Sequence, residues 1–199
     1  ASEVHFEGDP RHAEIIIHQL NLTQEKSKGV VTPGVHTEVV LEADRELDRE
    51  HTRLFRGMVM RANYLAQDRA DLQFSCKELA RSMQKPTEAS WNKLKRVGRF
   101  LKLYPRAVQI FREQDYVDTV IARTDTDFAG CKTTRKSTTS VNLIHGCNLI
   151  RAVSATQSVV TLSSGEAEFL GAVRGASMLI GMKNLLADTG NTKVNCVLE

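Results

Sequence analysis

The chain has 199 residues, 41% of them apolar and 26% charged, a composition typical of a globular protein with one or two domains. No apolar run approaches the roughly 18 residues of a membrane span, and no basic-then-apolar leader is present, so we expect a cytoplasmic or nuclear protein that is neither secreted nor membrane-bound. The four Cys are too far apart to indicate a disulfide framework or a zinc site, and a net charge of +3 does not by itself identify a nucleic-acid-binding protein.

The first half of the chain is predicted to be helical. Asp9 followed by Pro10 is typical of a helix start, Asp71 is a candidate cap, and Thr87 is another. Apolar residues at helical spacing predict helices over about 9–22, 49–67, 71–84 and 87–102. Residues 27–34 contain two Gly and one Pro and are predicted to form a loop or an edge strand.

The fourth predicted helix has one apolar face and one basic face. Its basic residues are Lys93, Lys95, Arg96, Arg99 and Lys102. Such a face suits contacts with the phosphates of a nucleic-acid duplex, which position a protein without reading sequence. An ordinary solvated helix face is the alternative.

After Pro105 the helical period is lost, and we place a domain boundary between residues 105 and 106. Clusters of β-branched and aromatic residues then predict short strands near 108–111, 117–121, 141–144, 149–153 and 194–198. A long helix is predicted over about 165–187. Strands interrupted by one long helix predict an α/β fold with a mixed sheet.

Two carboxylate pairs are the candidate chemical groups. Asp125 and Asp127 end a predicted strand, and Glu166 and Glu168 lie in the first turn of the long helix. Carboxylates are preferred ligands of Mg²⁺, and two such ions about 4 Å apart can promote phosphodiester hydrolysis. The alternative is structural, because acidic residues also stabilise helix starts and turns.

Two sequence blocks resemble the ribonuclease H signature of copia-type retrotransposons. They are TDTDFAGCKTTRKSTTS and SATQSVVTLSSGEAEFLGA, which are similar to the family's S-D-A-D-W-A-G strand with its R-K-S-T-S-G loop and to its S-S-x-E-A-E-Y helix start. Upstream, YLAQDRADLQFSCKELARSMQKPTEASWNKLKRVGRFLK resembles the helical segment that joins polymerase to ribonuclease H. The resemblance spans about residues 55–198.

The resemblance implies roles for individual residues. Asp125 and Glu168 correspond to the family's first catalytic Asp and its catalytic Glu, which bind Mg²⁺, while Asp127 and Glu166 become neighbours of the site. The family's third carboxylate lies at the end of the strand after the long helix. Either Glu199 takes that place as a metal ligand, or the corresponding Asp lies beyond it. The implied nucleic-acid contacts are the five basic residues of the fourth helix together with Arg135 and Lys136.

The resemblance also implies the organisation of the chain. Residues 1–105 correspond to the thumb or connection-like end of a reverse transcriptase, and residues 106–199 to a ribonuclease H-like domain that is incomplete at its C-terminus. The implied parent hydrolyses RNA in RNA–DNA hybrids beside an upstream polymerase domain, and we expect this chain alone to be inactive. The alternatives are a non-catalytic nucleic-acid-binding remnant of a decayed retroelement and a fragment that does not fold stably.

The sequence departs from the family pattern at several positions. Phe128 and Val153 replace Trp, and Ser140 with Val141 stand where the family usually has Gly. Loss of Gly from a turn that needs positive φ is expected to strain the turn. His145 replaces an apolar residue and is either a ligand or base or, as its lack of nearby partners favours, a tolerated strand histidine.

Overall fold

The computed structural model describes residues 2–24, 26–34 and 44–199. The chain divides into two compact units. The helical unit is Glu7–Gln109, and the sheet unit is Ala1–Phe6 together with Ile110–Glu199.

The helical unit contains the four predicted helices. They are α1 (Arg11–Gln19), α2 (Arg49–Leu65), α3 (Gln73–Arg81) and α4 (Glu88–Leu103). Helix α1 ends before the predicted Leu22 because Asn21 adopts a left-handed φ of 54°. The N–H groups of Asn21 and Leu22 then donate to the carbonyls of His18 and Ile17, which closes the helix end. Residues 27–34 form no strand.

Of the two candidate caps, Thr87 is confirmed and Asp71 is wrong. The Thr87 hydroxyl accepts the N–H of Ser90, and the Ser90 hydroxyl accepts the N–H of Thr87, so α4 begins with a capping box. Asp71 lies inside a short 3₁₀ turn (Ala70–Leu72) before α3. Its carboxylate is instead held 2.6 Å from the guanidinium of Arg69, a side chain that is 2% exposed.

A large apolar core fills the helical unit. Phe55, Met58 and Leu101 are completely buried in it. Gly98 of α4 lets the end of α1 and the residues that follow it approach closely, since a Cβ there would lie 2.5 Å from the side chain of Leu20 and 2.8 Å from that of Leu22. The core therefore depends on a small residue at the point where the two helices meet.

Six strands and one long helix complete the described fold. They are β1 (Glu3–Glu7), β2 (Val108–Arg112), β3 (Thr119–Asp127), β4 (Thr138–His145), β5 (Asn148–Thr156), α5 (Ser164–Asp188) and β6 (Asn195–Leu198). Strands β1 and β2 form a two-stranded sheet. Strand β1, which precedes the helix predicted over about 9–22, was not predicted.

The main sheet has the strand order β5-β4-β3-β6. Strands β3, β4 and β5 pair antiparallel in sequence order, and β6 pairs parallel to β3 after the crossover through α5. The prediction of an α/β fold with a mixed sheet is confirmed.

The expected strain at Ser140 and Val141 does not occur. Both residues lie inside β4, paired with Asp125 and Thr124, so no turn is needed there. In the described part of the chain, the left-handed φ values near this region belong to Ala129 and Arg135, in the loop between β3 and β4, and to Gly146, in the turn after β4. The prediction was wrong because the strand starts three residues earlier than expected.

Helix α5 packs on one face of the sheet through small residues. A Cβ on Gly175 would lie 2.6 Å from the Thr124 methyl and 2.7 Å from a Leu198 methyl, and one on Gly171 would lie 2.8 Å from the Thr126 hydroxyl. Thr124 and Thr126 therefore face α5. Because successive strand residues alternate between faces, Asp125 lies on the opposite face.

Candidate functional site

Asp125 lies near the C-terminal end of β3 with an exposed side chain. Its Oδ1 accepts the N–H of Thr126 at 2.9 Å. Strand pairing with Ser140 on one side fixes the backbone at this point. The carboxylate is therefore oriented by its own strand and open to solvent.

Asp127, two residues further on, shapes the loop that follows. Its carboxylate occupies the space beside Gly130, where a Cβ would lie 1.8 Å from Oδ2. The Asp127 carbonyl also accepts the N–H of Gly130 at 3.4 Å. Any side chain on Gly130 would displace this carboxylate, so Asp127 and Gly130 together form the turn.

Glu166 and Glu168 have different environments in the first turn of α5. The carboxylate of Glu166 accepts the N–H of Leu162 at 2.7 Å, and the hydroxyl of Ser163 accepts the N–H of Glu166 at 3.1 Å. Glu166 is thus part of the helix cap. Glu168 is exposed and directly follows the fully buried Ala167.

Glu199 is held beside Arg123. Its carboxylate lies 2.8 Å from the Arg123 guanidinium, and its N–H donates to the Ala122 carbonyl at 2.9 Å. The parallel register pairs Ala122 with Leu198. The position level with Asp125 on this strand therefore falls beyond Glu199.

The predicted Mg²⁺ ligands are the carboxylates of Asp125, Glu168 and Glu199. Their oxygens are the correct donors for this hard cation. Across the described ranges, however, no group of three Asp, Glu, His or Cys side chains is close enough to hold a metal ion. Asp125, Glu168 and Glu199 are not gathered into one cluster, and by themselves they do not form a two-metal site.

A buried polar cluster lies between the sheet and the start of α5. Gln157 donates from Nε2 to the Thr139 hydroxyl and to the Ala167 carbonyl, both at 2.9 Å. The Ser137 hydroxyl accepts the N–H of Ala129 at 3.0 Å and also contacts Thr161. These residues were not singled out from the sequence, because their partners are far apart along the chain.

Three of the five basic residues on α4 hold a loop of the helical unit. Arg96 donates to the Thr32 hydroxyl at 2.8 Å, Arg99 to the Lys28 carbonyl at 2.6 Å, and Lys102 to the Gln24 carbonyl at 2.7 Å. We call this arrangement the α4 clamp. The clamp gives these three cations a structural role that the sequence did not predict.

The two remaining basic residues of α4 point to solvent. Lys93 and Lys95 are exposed, and among the residues that the structure describes no carboxylate forms an ion pair with either of them. In the β3–β4 loop, Lys136 donates to the Ser158 carbonyl at 2.6 Å, while Arg135 is exposed and has a φ of 57°. Among the residues predicted to contact nucleic acid, Lys93, Lys95 and Arg135 are therefore exposed, whereas the other four donate hydrogen bonds within the protein.

The surroundings of His145 and Cys76 are those of residues with structural roles. The His145 ring lies 3.1 Å from the Val117 carbonyl through Nε2, a contact within the sheet unit that the strand-histidine interpretation accommodates. Burial raises the pKa of the Cys76 thiol to about 12. Cys147, in contrast, is exposed.

No helix in the described segments combines the length and apolar character needed to cross a lipid bilayer.

The chain is similar in sequence to retrotransposon proteins. The chain is 34% identical over 136 residues to the Retrovirus-related Pol polyprotein from transposon RE2 of Arabidopsis thaliana, which covers 68% of this chain and 9% of that protein. It is 32% identical over 136 residues to the corresponding polyprotein from transposon RE1, with the same coverage.

A further relative is the Uncharacterized mitochondrial protein AtMg00810 of Arabidopsis thaliana. It is 34% identical over 116 residues, which are 58% of this chain and 48% of that protein. No family model and no solved structure matches the chain. The chain is thus homologous to retrovirus-related Pol polyproteins of transposons and spans only a small part of their length, which confirms the resemblance to a copia-type Pol fragment.

Proposed function

We propose that the sheet unit is part of a ribonuclease H domain whose complete form hydrolyses the RNA strand of RNA–DNA hybrids. The observation that carries this proposal is the position of β6. It lies parallel to and directly beside the strand of Asp125, so a carboxylate that follows β6 would lie next to Asp125. This is the arrangement that the resemblance implies for the third catalytic carboxylate.

On the correspondence that the resemblance implies, Asp125 and Glu168 are the proposed metal-binding residues of the complete domain. In the structure Asp125 lies on the face of the sheet opposite α5, and the described residues gather no third ligand beside either carboxylate. When bound, Mg²⁺ activates a water and stabilises the leaving oxygen in phosphodiester hydrolysis. The N–H of Thr126 fixes Asp125 Oδ1, and the buried neighbour Ala167 fixes the backbone of Glu168. Asp127 and Glu166 are assigned supporting roles, because one forms a turn and the other caps a helix.

Glu199 is the less suitable candidate for the third ligand. It pairs with Arg123 and lies level with that residue rather than with Asp125. A carboxylate two positions further along the strand direction would be level with Asp125 and on the same face of the sheet. We therefore assign Glu199 to an ion pair at the sheet surface.

Nucleic-acid contacts of the helical unit are proposed for Lys93 and Lys95. Both are exposed cations on one helix, and phosphate contacts by such residues provide affinity without sequence preference. Arg135 is a third candidate, in the loop that follows the Asp125 strand. The proposed partners are an RNA–DNA hybrid and the upstream polymerase domain of the same polyprotein.

A cleavage assay tests the proposed function. The 199-residue chain is compared with a chimera in which residues after Glu199 are supplied by the corresponding segment of the RE2 relative. With Mg²⁺ and a hybrid carrying labelled RNA, we expect background cleavage by the chain and robust cleavage by the chimera, because on this proposal the segment after β6 supplies the further metal ligands.

Two results would contradict the proposal in different ways. Robust cleavage by the chain alone would show that its own carboxylates are sufficient. A folded chimera that binds the hybrid without cutting it would favour the non-catalytic nucleic-acid-binding alternative.

A further inference from the structure

Gln157 stands out among the buried polar residues of the sheet unit. It directly follows β5, and the residue is 9% exposed. Its backbone N–H donates to the Ser137 carbonyl at 2.8 Å. Its side-chain amide bridges two different elements, the Thr139 hydroxyl on β4 and the Ala167 carbonyl on α5. Because a carbonyl only accepts, the nitrogen of the amide must be the atom that faces Ala167.

A second side chain meets the same carbonyl. The Thr126 hydroxyl, on the strand of Asp125, donates to the Ala167 carbonyl at 3.4 Å and is also buried. One peptide group in the first turn of α5 is therefore bonded from β3 and from the segment after β5. This carbonyl lies between Glu166, which caps the helix, and Glu168.

Near its start, α5 contacts the sheet through Ala167, Gly171 and Gly175, which have no large side chains. The large α5 side chains of the sheet core, Leu179 with Met178, Met182 and Leu186, lie further along the helix, so the hydrogen bonds to Ala167 are the contacts that hold its first turn. A helix rises about 1.5 Å per residue, while metal–ligand distances are defined within about 0.2 Å. A slip of a fraction of a residue would therefore misplace a ligand on α5.

We infer that Gln157 is a positioning residue, which holds the first turn of α5 through the Ala167 carbonyl and so sets the location of Glu168 relative to the Asp125 strand. Thr126 is its partner in this role. The statement about Glu168 rests on the proposed function. The anchoring of α5 stands on the hydrogen bonds alone.

The test compares two glutamines with the same substitution. Gln157→Met removes the amide and keeps the length of the side chain. Gln114→Met is the matched control, since the Gln114 amide also bridges backbone groups of the sheet unit, but its two hydrogen bonds are to His145 and Cys147 at the β4–β5 turn. Amide hydrogen exchange is measured in the 199-residue chain, and kcat and KM for hybrid cleavage are measured in the chimera.

For Gln157→Met we expect faster exchange in the peptide that covers residues 163–170, unchanged exchange near residues 176–188, and a kcat lowered by about 10- to 100-fold at unchanged KM. Gln114→Met should leave the exchange of residues 163–170 and kcat unchanged. A lower unfolding midpoint with an unchanged kcat would make Gln157 a structural residue only and overturn the inference, as would no change in either measurement.

A second pair of variants keeps the inference testable if Gln157→Met does not fold. Thr126→Val removes the hydroxyl that reaches Ala167, and Thr126→Ser retains it. We expect kcat to fall in the first variant and recover in the second, whereas equal kcat values would overturn the inference. If the unsubstituted chimera does not cleave, the proposed function fails, and hydrogen exchange alone decides whether Gln157 anchors α5.

Discussion

The helical unit and the sheet unit bury their residues in different ways. Among the described residues, the core of the helical unit contains 17 buried apolar side chains, and that of the sheet unit contains six. The sheet unit adds buried hydroxyl and amide groups, Ser137, Thr139 and Gln157 among them. Polar groups near the start of α5 thus occupy space that an apolar core would otherwise fill.

This difference has a physical consequence. Apolar burial is non-directional and tolerates small shifts, whereas a buried hydrogen bond fixes the direction and distance of its partners. The helical unit is therefore expected to depend on packed volume. The sheet unit is expected to depend on the exact placement of a few groups beside its carboxylates.

The largest expected effect is a cavity in the helical core. Phe55→Ala should lower the free energy of unfolding of the helical unit by about 3–5 kcal/mol, because Phe55 is fully buried. Cys76, in the same core, reports on this unit through pulsed thiol alkylation. Phe55→Ala should speed alkylation of Cys76 while the exposed Cys147 of the sheet unit reacts as before, and equal rates for Cys76 in both proteins would contradict the assigned core.

Overpacking between α5 and the sheet is expected to have a smaller effect. Gly175→Ala should cost about 1–3 kcal/mol, since the added methyl would lie 2.6 Å from Thr124 and 2.7 Å from Leu198. Gly181→Ala on the same helix meets nothing within 4 Å and should stabilise the protein by about 0.5–1 kcal/mol. Denaturant unfolding measures both, and the same sign for the two variants would be inconsistent with the described packing.

Helix caps allow a direct comparison of the two units. Thr87→Ala in the helical unit and Ser163→Ala in the sheet unit each remove a side chain that accepts a backbone N–H and should each cost about 1 kcal/mol. Only Ser163→Ala should also increase hydrogen exchange in the first turn of α5. Loss of protection there in Thr87→Ala would show that the two helix starts are not independent.

The smallest effect on stability is expected for the exposed lysines of α4. Lys93→Gln with Lys95→Gln should leave unfolding unchanged and lower the salt dependence of duplex binding by about 0.9 log units per phosphate contact. Arg99→Gln is the contrasting variant, because it breaks a bond of the α4 clamp and should lower stability. An unchanged salt slope in the lysine variant would mean that the two residues are only a solvated face.

Elements with local signals were predicted well from the sequence. Helix α4 combines a Thr87 cap with a regular apolar period, and α5 begins within one residue of its predicted start. Strand β1 was missed because its five residues provide only a short alternation and its partner strand, β2, is far away along the chain. Asp71 was predicted to be a cap, but its carboxylate accepts hydrogen bonds from the Arg69 guanidinium instead.

Features that depend on distant contacts could not be predicted. The charges of Arg96 and Arg99 are visible in the sequence, but the return of Lys28 and Thr32 to α4 is not. Gln157 follows a strand without any periodic signal, and its role comes from partners 10 and 18 residues away. The assignment of Asp125 and Glu168 as metal ligands remains a prediction from the resemblance.

The most direct test of the account is the ranking of the four carboxylates in the chimera. Asp125→Asn and Glu168→Gln keep the shape of each side chain and remove its charge, so each should abolish Mg²⁺-dependent cleavage of the hybrid without loss of folding. Asp127→Asn and Glu166→Gln should retain activity, since these residues form a turn and a helix cap. Activity that survives in both Asp125→Asn and Glu168→Gln would contradict the account, and loss of activity only in Asp127→Asn and Glu166→Gln would show that the assigned register is wrong by two residues.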